Sequence, residues 1–148
     1  MSTKQRTARA ARRDADYRAL AEFRYHIRQY LQFSDRVART EGIEPKQYQL
    51  LLAIRGLPLD REPTVGVLAE QLHVRHHSAG ELVNRAETNG LVKRSRAGIH
   101  VFVCLTKKGE RVLASAVEQR LPELRAAAPV LVKALQHLTG SEQPLKSR

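Results

Sequence analysis

Residues Pro63–Gly109, PTVGVLAEQLHVRHHSAGELVNRAETNGLVKRSRAGIHVFVCLTKKG, decide the fold. Val65, Leu68, Ala69 and Leu72 recur at helical spacing behind Thr64, a residue type that caps helices by accepting from an early backbone N–H. A turn follows at His73, since His is one of the few non-glycine residues that tolerate positive φ. Val74 is placed to plug the space between two helices. The second helix spans about His76 to Asn89, with Ala79, Leu82, Val83 and Ala86 inward, and Gly90 ends it. Leu91–Ser95 begins a strand, Arg96–Ile99 forms a tight turn, and Val101, Val103 and Leu105 alternate with Phe102 and Cys104 on the return. Thr106 then caps another helix. Helix, turn, helix, hairpin, helix is the order of a winged helix-turn-helix, a mainly α fold with a small β-hairpin wing.

The outward face of the second helix carries His77, Ser78, Glu81, Asn84 and Arg85, with Arg75 and His76 leading in. In this architecture the second helix reads base edges in the major groove. Arg85 and Asn84 suit bidentate contacts to guanine and adenine, and Ser78 suits a phosphate or either base. Lys93, Arg94, Arg96 and His100 lie on or near the hairpin, and Arg96, nearest the tip, is the best placed for a backbone or minor-groove contact. The charge agrees. The chain of 148 residues has 26 Lys and Arg against 15 Asp and Glu, a net charge of +11. Such a balance is the footprint of a polyanion-binding surface.

Other classes recede. No apolar run approaches the ~20 residues of a membrane-spanning helix. The basic start MSTKQRTARAARR is not followed by the apolar core of a secretory signal. The single cysteine, Cys104, excludes an internal disulfide framework and suits the reducing cytoplasm, where we expect the protein.

Working outward, residues 1–14 are basic and read as a disordered tail that could sample DNA as a mobile arm. From about Ala15 to Arg39 runs a long helix. Tyr17, Leu20, Arg24, Ile27, Leu31, Ser34 and Ala38 form one heptad-like stripe, and Phe23, His26, Tyr30, Phe33 and Val37 form a second. A helix apolar on two sides implies packing on its own domain and on a second subunit. Gly42 ends it. Pro45 opens the next helix, which runs to about Arg55 with Tyr48, Leu51, Leu52 and Ile54 apolar. Residues 57–63 form a loop. Behind Thr106, Val112, Leu113, Ala116, Val117 and Leu121 give an inner face, and Pro122 and Pro129 predict a kink or break near one of them. A final helix to about Leu138 carries Leu124, Ala128, Leu131, Leu135 and Leu138. The expected organisation is therefore one domain over 15–140, with a DNA-binding core at 44–110 and a disordered tail at 141–148.

The residues Thr64-Val65…Leu68-Ala69…Leu72, His77-Ser78…Leu82-Val83, Glu87…Asn89-Gly90-Leu91-Val92…Arg94 and Leu105-Thr106…Gly109 together resemble the MarR family of transcriptional regulators. With the flanking helices, the resemblance covers residues 15–138. It implies a homodimer assembled from the first and last helices, here through Tyr17, Leu20, Ile27, Leu31, Leu124, Leu131, Leu135 and Leu138. It also implies a palindromic operator and, in many members, a small ligand that releases DNA. Pockets for aromatic anions in the family point to Arg24, His26, Tyr30 and Phe33 as an effector site. Two departures stand out. The family's wing commonly carries an Asp-x-Arg that pins the hairpin, whereas this turn is short and lacks Asp. A Leu is usual where Ala86 stands.

Two other constellations have simpler explanations. His73, His76, His77 and Glu81 lie close in sequence, but a turn residue plus two DNA-facing histidines accounts for them without zinc. Cys104, on a strand between Val103 and Leu105, reads as a quiet, partly buried thiol rather than a redox switch. No nucleophile–base–orienter set or phosphate loop is visible, so no catalytic activity and no cofactor are expected. The leading expectation is a dimeric, sequence-specific regulator of transcription, acting as a ligand-responsive repressor. The alternatives are an architectural DNA-coating protein and a winged helix used for protein–protein contact.

Overall fold

A computed structural model describes residues 1–140. The segment 141–148, expected as a disordered tail, lies outside the described residues. The elements are α1 (Thr3–Thr40), α2 (Pro45–Arg55), α3 (Val65–Leu72), α4 (His76–Thr88), β1 (Val92–Ala97), β2 (His100–Leu105) and α5 (Lys107–Thr139). The contacts define two compact units, Ser34–Arg120 and Met1–Phe33 with the segment from Leu121 onward. The longest helices, α1 and α5, each contribute to both.

The Ser34–Arg120 unit holds the helix-turn-helix, the hairpin and a core of fully buried Leu50, Leu51, Leu68, Val83 and Val103. Each such side chain stabilises the fold by about 1.5–3 kcal/mol relative to exposure. The caps fall where the residue types place them. Thr64 accepts from Val67 N–H at 3.2 Å at the start of α3. His73 ends α3 with φ 52°, the left-handed turn residue expected from sequence. Thr106 Oγ1 accepts from Gly109 N–H at 3.0 Å and donates to the Gly90 carbonyl at 2.6 Å, tying the start of α5 to the end of α4. Gly109 is needed there because a Cβ would run into the Leu91 carbonyl oxygen.

One inward face differs from the sequence reading. In α2 the buried positions are Gln47, Tyr48, Leu50 and Leu51, while Leu52 is exposed. Positions 47, 50, 51 and 54 follow the 3–4 spacing of one helix face, and Leu52 falls off it.

Two boundaries differ as well. The basic tail expected at 1–14 is helical from Thr3 onward, with every side chain exposed. A capping box explains the start: Gln5 N–H donates to Ser2 Oγ at 3.3 Å, and the Gln5 side chain accepts from Ser2 N–H at 2.8 Å. Ala8, Ala10, Ala11 and the arginines that follow are strong helix formers, so no buried face is needed to favour the helix locally. The break expected near Pro122 or Pro129 is also absent, because α5 continues through both. The two prolines are exposed and seven residues apart, hence on one face. Glu118 and Arg125, four residues before each proline, are exposed too, so the carbonyls that lose an N–H partner there face water.

Candidate nucleic-acid interface

The α4 face expected to read bases is solvent-accessible along its length: Arg75, His76, His77, Ser78, Glu81, Asn84 and Arg85 are all exposed. The opposite face buries Ala79, Leu82, Val83 and Ala86 against the core, which fixes the rotation of the helix. Buried Ala86 contacts the core without the larger side chain usual at that place. Arg75 is the N-cap residue and contributes no side-chain cap, so its guanidinium is not committed to its own helix end. His77 Nε2 sits 3.2 Å from Glu81 one turn on. Among the described residues no three His, Cys, Asp or Glu side chains are grouped to hold a metal ion.

The hairpin pairs antiparallel from Val92↔Leu105 to Ala97↔His100, leaving Gly98 and Ile99 as the turn. The turn is thus two residues rather than the four residues 96–99. Arg94 lies opposite buried Val103 on the face turned toward α4, whereas Lys93 lies opposite Cys104 on the other face. Arg96 shares the Arg94 face two residues nearer the tip, opposite Val101. His100 and Phe102 stack on the outer face with ring centroids 6.1 Å apart. The base of the hairpin is held by Val103 N–H donating to the Pro63 carbonyl at 2.8 Å and Thr106 N–H to that of Leu91 at 3.1 Å.

Arg94 is the main link between wing and helix. Its backbone N–H donates to Glu87 Oε2 at 3.2 Å, and its guanidinium donates to Glu87 Oε1 at 3.1 Å and Asn84 Oδ1 at 2.8 Å. Geometry therefore separates residues that the sequence grouped together. A bidentate contact from Asn84 to adenine must break its bond to Arg94, so in this arrangement both act as a strut between α4 and β1. Arg85 has a looser restraint, with Nε 3.7 Å from Glu44 and both side chains about half exposed. A pair of this kind contributes little and yields readily to a phosphate or base. His76, His77, Ser78, Lys93 and Arg96 remain outward at the helix start and on the hairpin.

Sequence reasoning missed Arg120. This arginine is only 2 % exposed. Its Nε donates to Ser34 Oγ at 2.8 Å, and its terminal nitrogens donate to the Ser34 and Ala116 carbonyls at 2.7 Å each. The guanidinium also approaches Glu41 at 3.5 Å and covers the Tyr48 ring at 3.8 Å. The signal was present: Leu113, Ala116, Val117 and Arg120 follow one inward face, so the arginine extends an apolar stripe. Leu121, placed on that face from sequence, is exposed instead.

The other unit, where the effector site is expected, holds a cleft with a different lining. An open cleft of about 830 Å³ is lined by Ala15, Arg18, Tyr25, His26, Lys133 and His137, among others. Of Arg24, His26, Tyr30 and Phe33, only His26 lines it. His137 Nε2 lies 3.2 Å from Asp16 at its edge. The expected dimer contacts Tyr17, Leu20, Leu31 and Leu135 are exposed, and Ile27, Leu124, Leu131 and Leu138 are partly so.

Residues 41–98 match the sequence model of the MarR family, a span that holds α2 to α4 and β1. No curated protein sequence matches the chain. Solved structures do. A MarR family protein from Bacillus stearothermophilus is 23% identical, with 95% of this chain and 97% of that one covered at a TM-score of 0.67. MepR, a transcription regulator of the Staphylococcus aureus multidrug efflux pump MepA, is 18% identical over 82% of this chain and 96% of its own, with a TM-score of 0.68. A transcriptional regulator of M. tuberculosis, MosR, solved in complex with DNA, is 24% identical over 79% and 88%, with a TM-score of 0.57. At these identities the likenesses establish a shared fold.

Proposed function

On the premise that this chain is of the MarR family over residues 41–98 and of the MarR fold throughout, we propose that it is a DNA-binding regulator of transcription. The reading goes further: a homodimer that recognises an inverted repeat in the cytoplasm and acts as a ligand-responsive repressor. One observation carries it. The exposed face of α4 and the hairpin are joined through Arg94 into one surface that presents Arg75, Arg85, Lys93 and Arg96, in a chain of net charge +11. MosR was solved bound to DNA, and the same fold here presents the helix and wing that such binding needs. Within this surface His76, His77, Ser78 and Arg85 approach the major groove. Lys93 and Arg96 neutralise phosphates, and Arg94 with Asn84 and Glu87 holds the wing against α4.

Exposed Tyr17, Leu20, Leu31 and Leu135 supply apolar surface for a second copy. The cleft sets Arg18, Lys133 and Glu22 beside alanines, Tyr25 and His26, a lining suited to a partly apolar effector with a polar group that the two cations can bind.

Selection of DNA from a random pool by the full-length protein tests the reading. An enriched inverted repeat with half-sites about one helical turn apart is expected. Enrichment of no sequence, with affinity that bulk DNA competes away, would identify an architectural coating protein instead. Absence of any DNA affinity would point to a winged helix that binds protein.

A further inference from the structure

The tip of the wing is apolar. Strand pairing extends to Ala97↔His100, so Ala97, Gly98 and Ile99 complete the tip without a hydrogen-bonding side chain between Arg96 and His100. Gly98 has φ 63°, whereas Ile99 does not adopt positive φ, which matches the Gly-X form of a two-residue hairpin turn. Such turns are built from Gly, Asn, Asp and Ser; a β-branched residue here helps neither the turn nor the core. Ile99 is nevertheless present and 94% exposed, with its side chain projecting from a hairpin whose base is fixed to Pro63 and Leu91.

We propose that Ile99 is an apolar wedge that enters the DNA minor groove and packs against a base step. This inference rests on the DNA-binding reading above and deepens it. Lys93 and Arg96 place cations behind the tip on opposite faces of the hairpin, complementary to the phosphates that border a groove. What they would carry into the groove is a rigid hydrocarbon, which cannot read hydrogen-bond patterns. It can exploit a step that unstacks easily, and aliphatic side chains used in this way favour flexible pyrimidine–purine steps such as TA or CA. The wing thereby acquires a chemistry different from that of an arginine tip: selectivity by deformability, with a contribution that releases no counterions.

The experiment uses the full-length protein and its selected DNA, with 2-aminopurine placed beside the base step under the wing. Wild-type binding is expected to raise the probe's fluorescence as the step unstacks. Ile99→Ala and Ile99→Asn should each lower affinity about tenfold or more, the loss expected for one buried aliphatic side chain, and abolish the fluorescence rise. Their dependence of log K on log salt should match wild type, whereas Arg96→Ala, which removes one phosphate contact from each copy of the dimer, should reduce that slope by about 2. Because Ile99 makes no core contact and Asn is favoured in turns, both variants should unfold at the wild-type temperature. Variants that bind as tightly as wild type, or a wild-type complex without the fluorescence rise, overturn the wedge while leaving the regulator reading intact. A wild-type chain that binds no DNA overturns both.

Discussion

Arg120 is the residue on which the Ser34–Arg120 unit most depends for satisfied polar groups. A guanidinium at 2% exposure is costly unless its donors are matched, and here they reach the Ser34 hydroxyl, the carbonyls of Ser34 and Ala116, and Glu41. Removing it strands those acceptors without water. Arg120→Met, which keeps the bulk but not the donors, is expected to lower unfolding free energy by about 3–5 kcal/mol. Arg120→Lys should recover part of that, since an ammonium keeps the charge but cannot span two carbonyls with a planar fork. Chemical denaturation of both variants checks the order, and an Arg120→Met protein as stable as wild type would refute the role. The Glu41 side chain also accepts from Gln119 at 2.8 Å, a bond that does not involve Arg120 and keeps Glu41 partnered in either variant.

At the scale of elements, local chemistry was the most legible part of the sequence. Thr64, His73, Gly90 and Thr106 each occupy the cap or turn expected of them, because those positions depend on the residue itself. His73 is a direct test. A left-handed φ of 52° is tolerated by His but carries a steric cost that Gly lacks. His73→Gly should therefore raise or preserve the melting temperature, while His73→Val should lower stability by about 1–2 kcal/mol. Equal melting temperatures for the two would mean that the turn relaxes.

Interactions that depend on distant partners were less legible. The strut joins Arg94 and Asn84, which read separately as DNA contacts, through Glu87, since nothing in the spacing reveals that the first residues of β1 lie over the last turns of α4. Net charge misled the reading of the N-terminus. The arginines of residues 1–14 suggest disorder by repulsion, yet the Ser2–Gln5 box and the alanines favour a helix. Ser2→Ala should fray that end by about 1 kcal/mol, read as faster amide exchange over residues 3–8 with the rest of α1 unchanged. Uniform protection in the variant would show that the cap is dispensable.

For the whole molecule, the decisive question is how many copies act together. Leu20 and Leu31 lie about three turns apart on one side of α1, and both are roughly half exposed at 47% and 53%. Tyr17, at 64%, lies beside that line. Large apolar side chains grouped on one helix face are costly in water and favour association. Replacing Leu20 and Leu31 together with Glu leaves the Ser34–Arg120 core untouched but puts like charges opposite one another across a two-fold contact. The double variant is expected to sediment as a monomer at concentrations where wild type is a dimer. Its DNA binding then provides a second measure. A dimer engages two half-sites, and the slope of log K against log salt counts the phosphates neutralised. The monomer should bind with roughly half the wild-type slope and no preference for paired half-sites. If it remains dimeric, the interface lies elsewhere. If it is monomeric but keeps the full slope, one copy makes all the phosphate contacts, and the inverted repeat loses its structural basis.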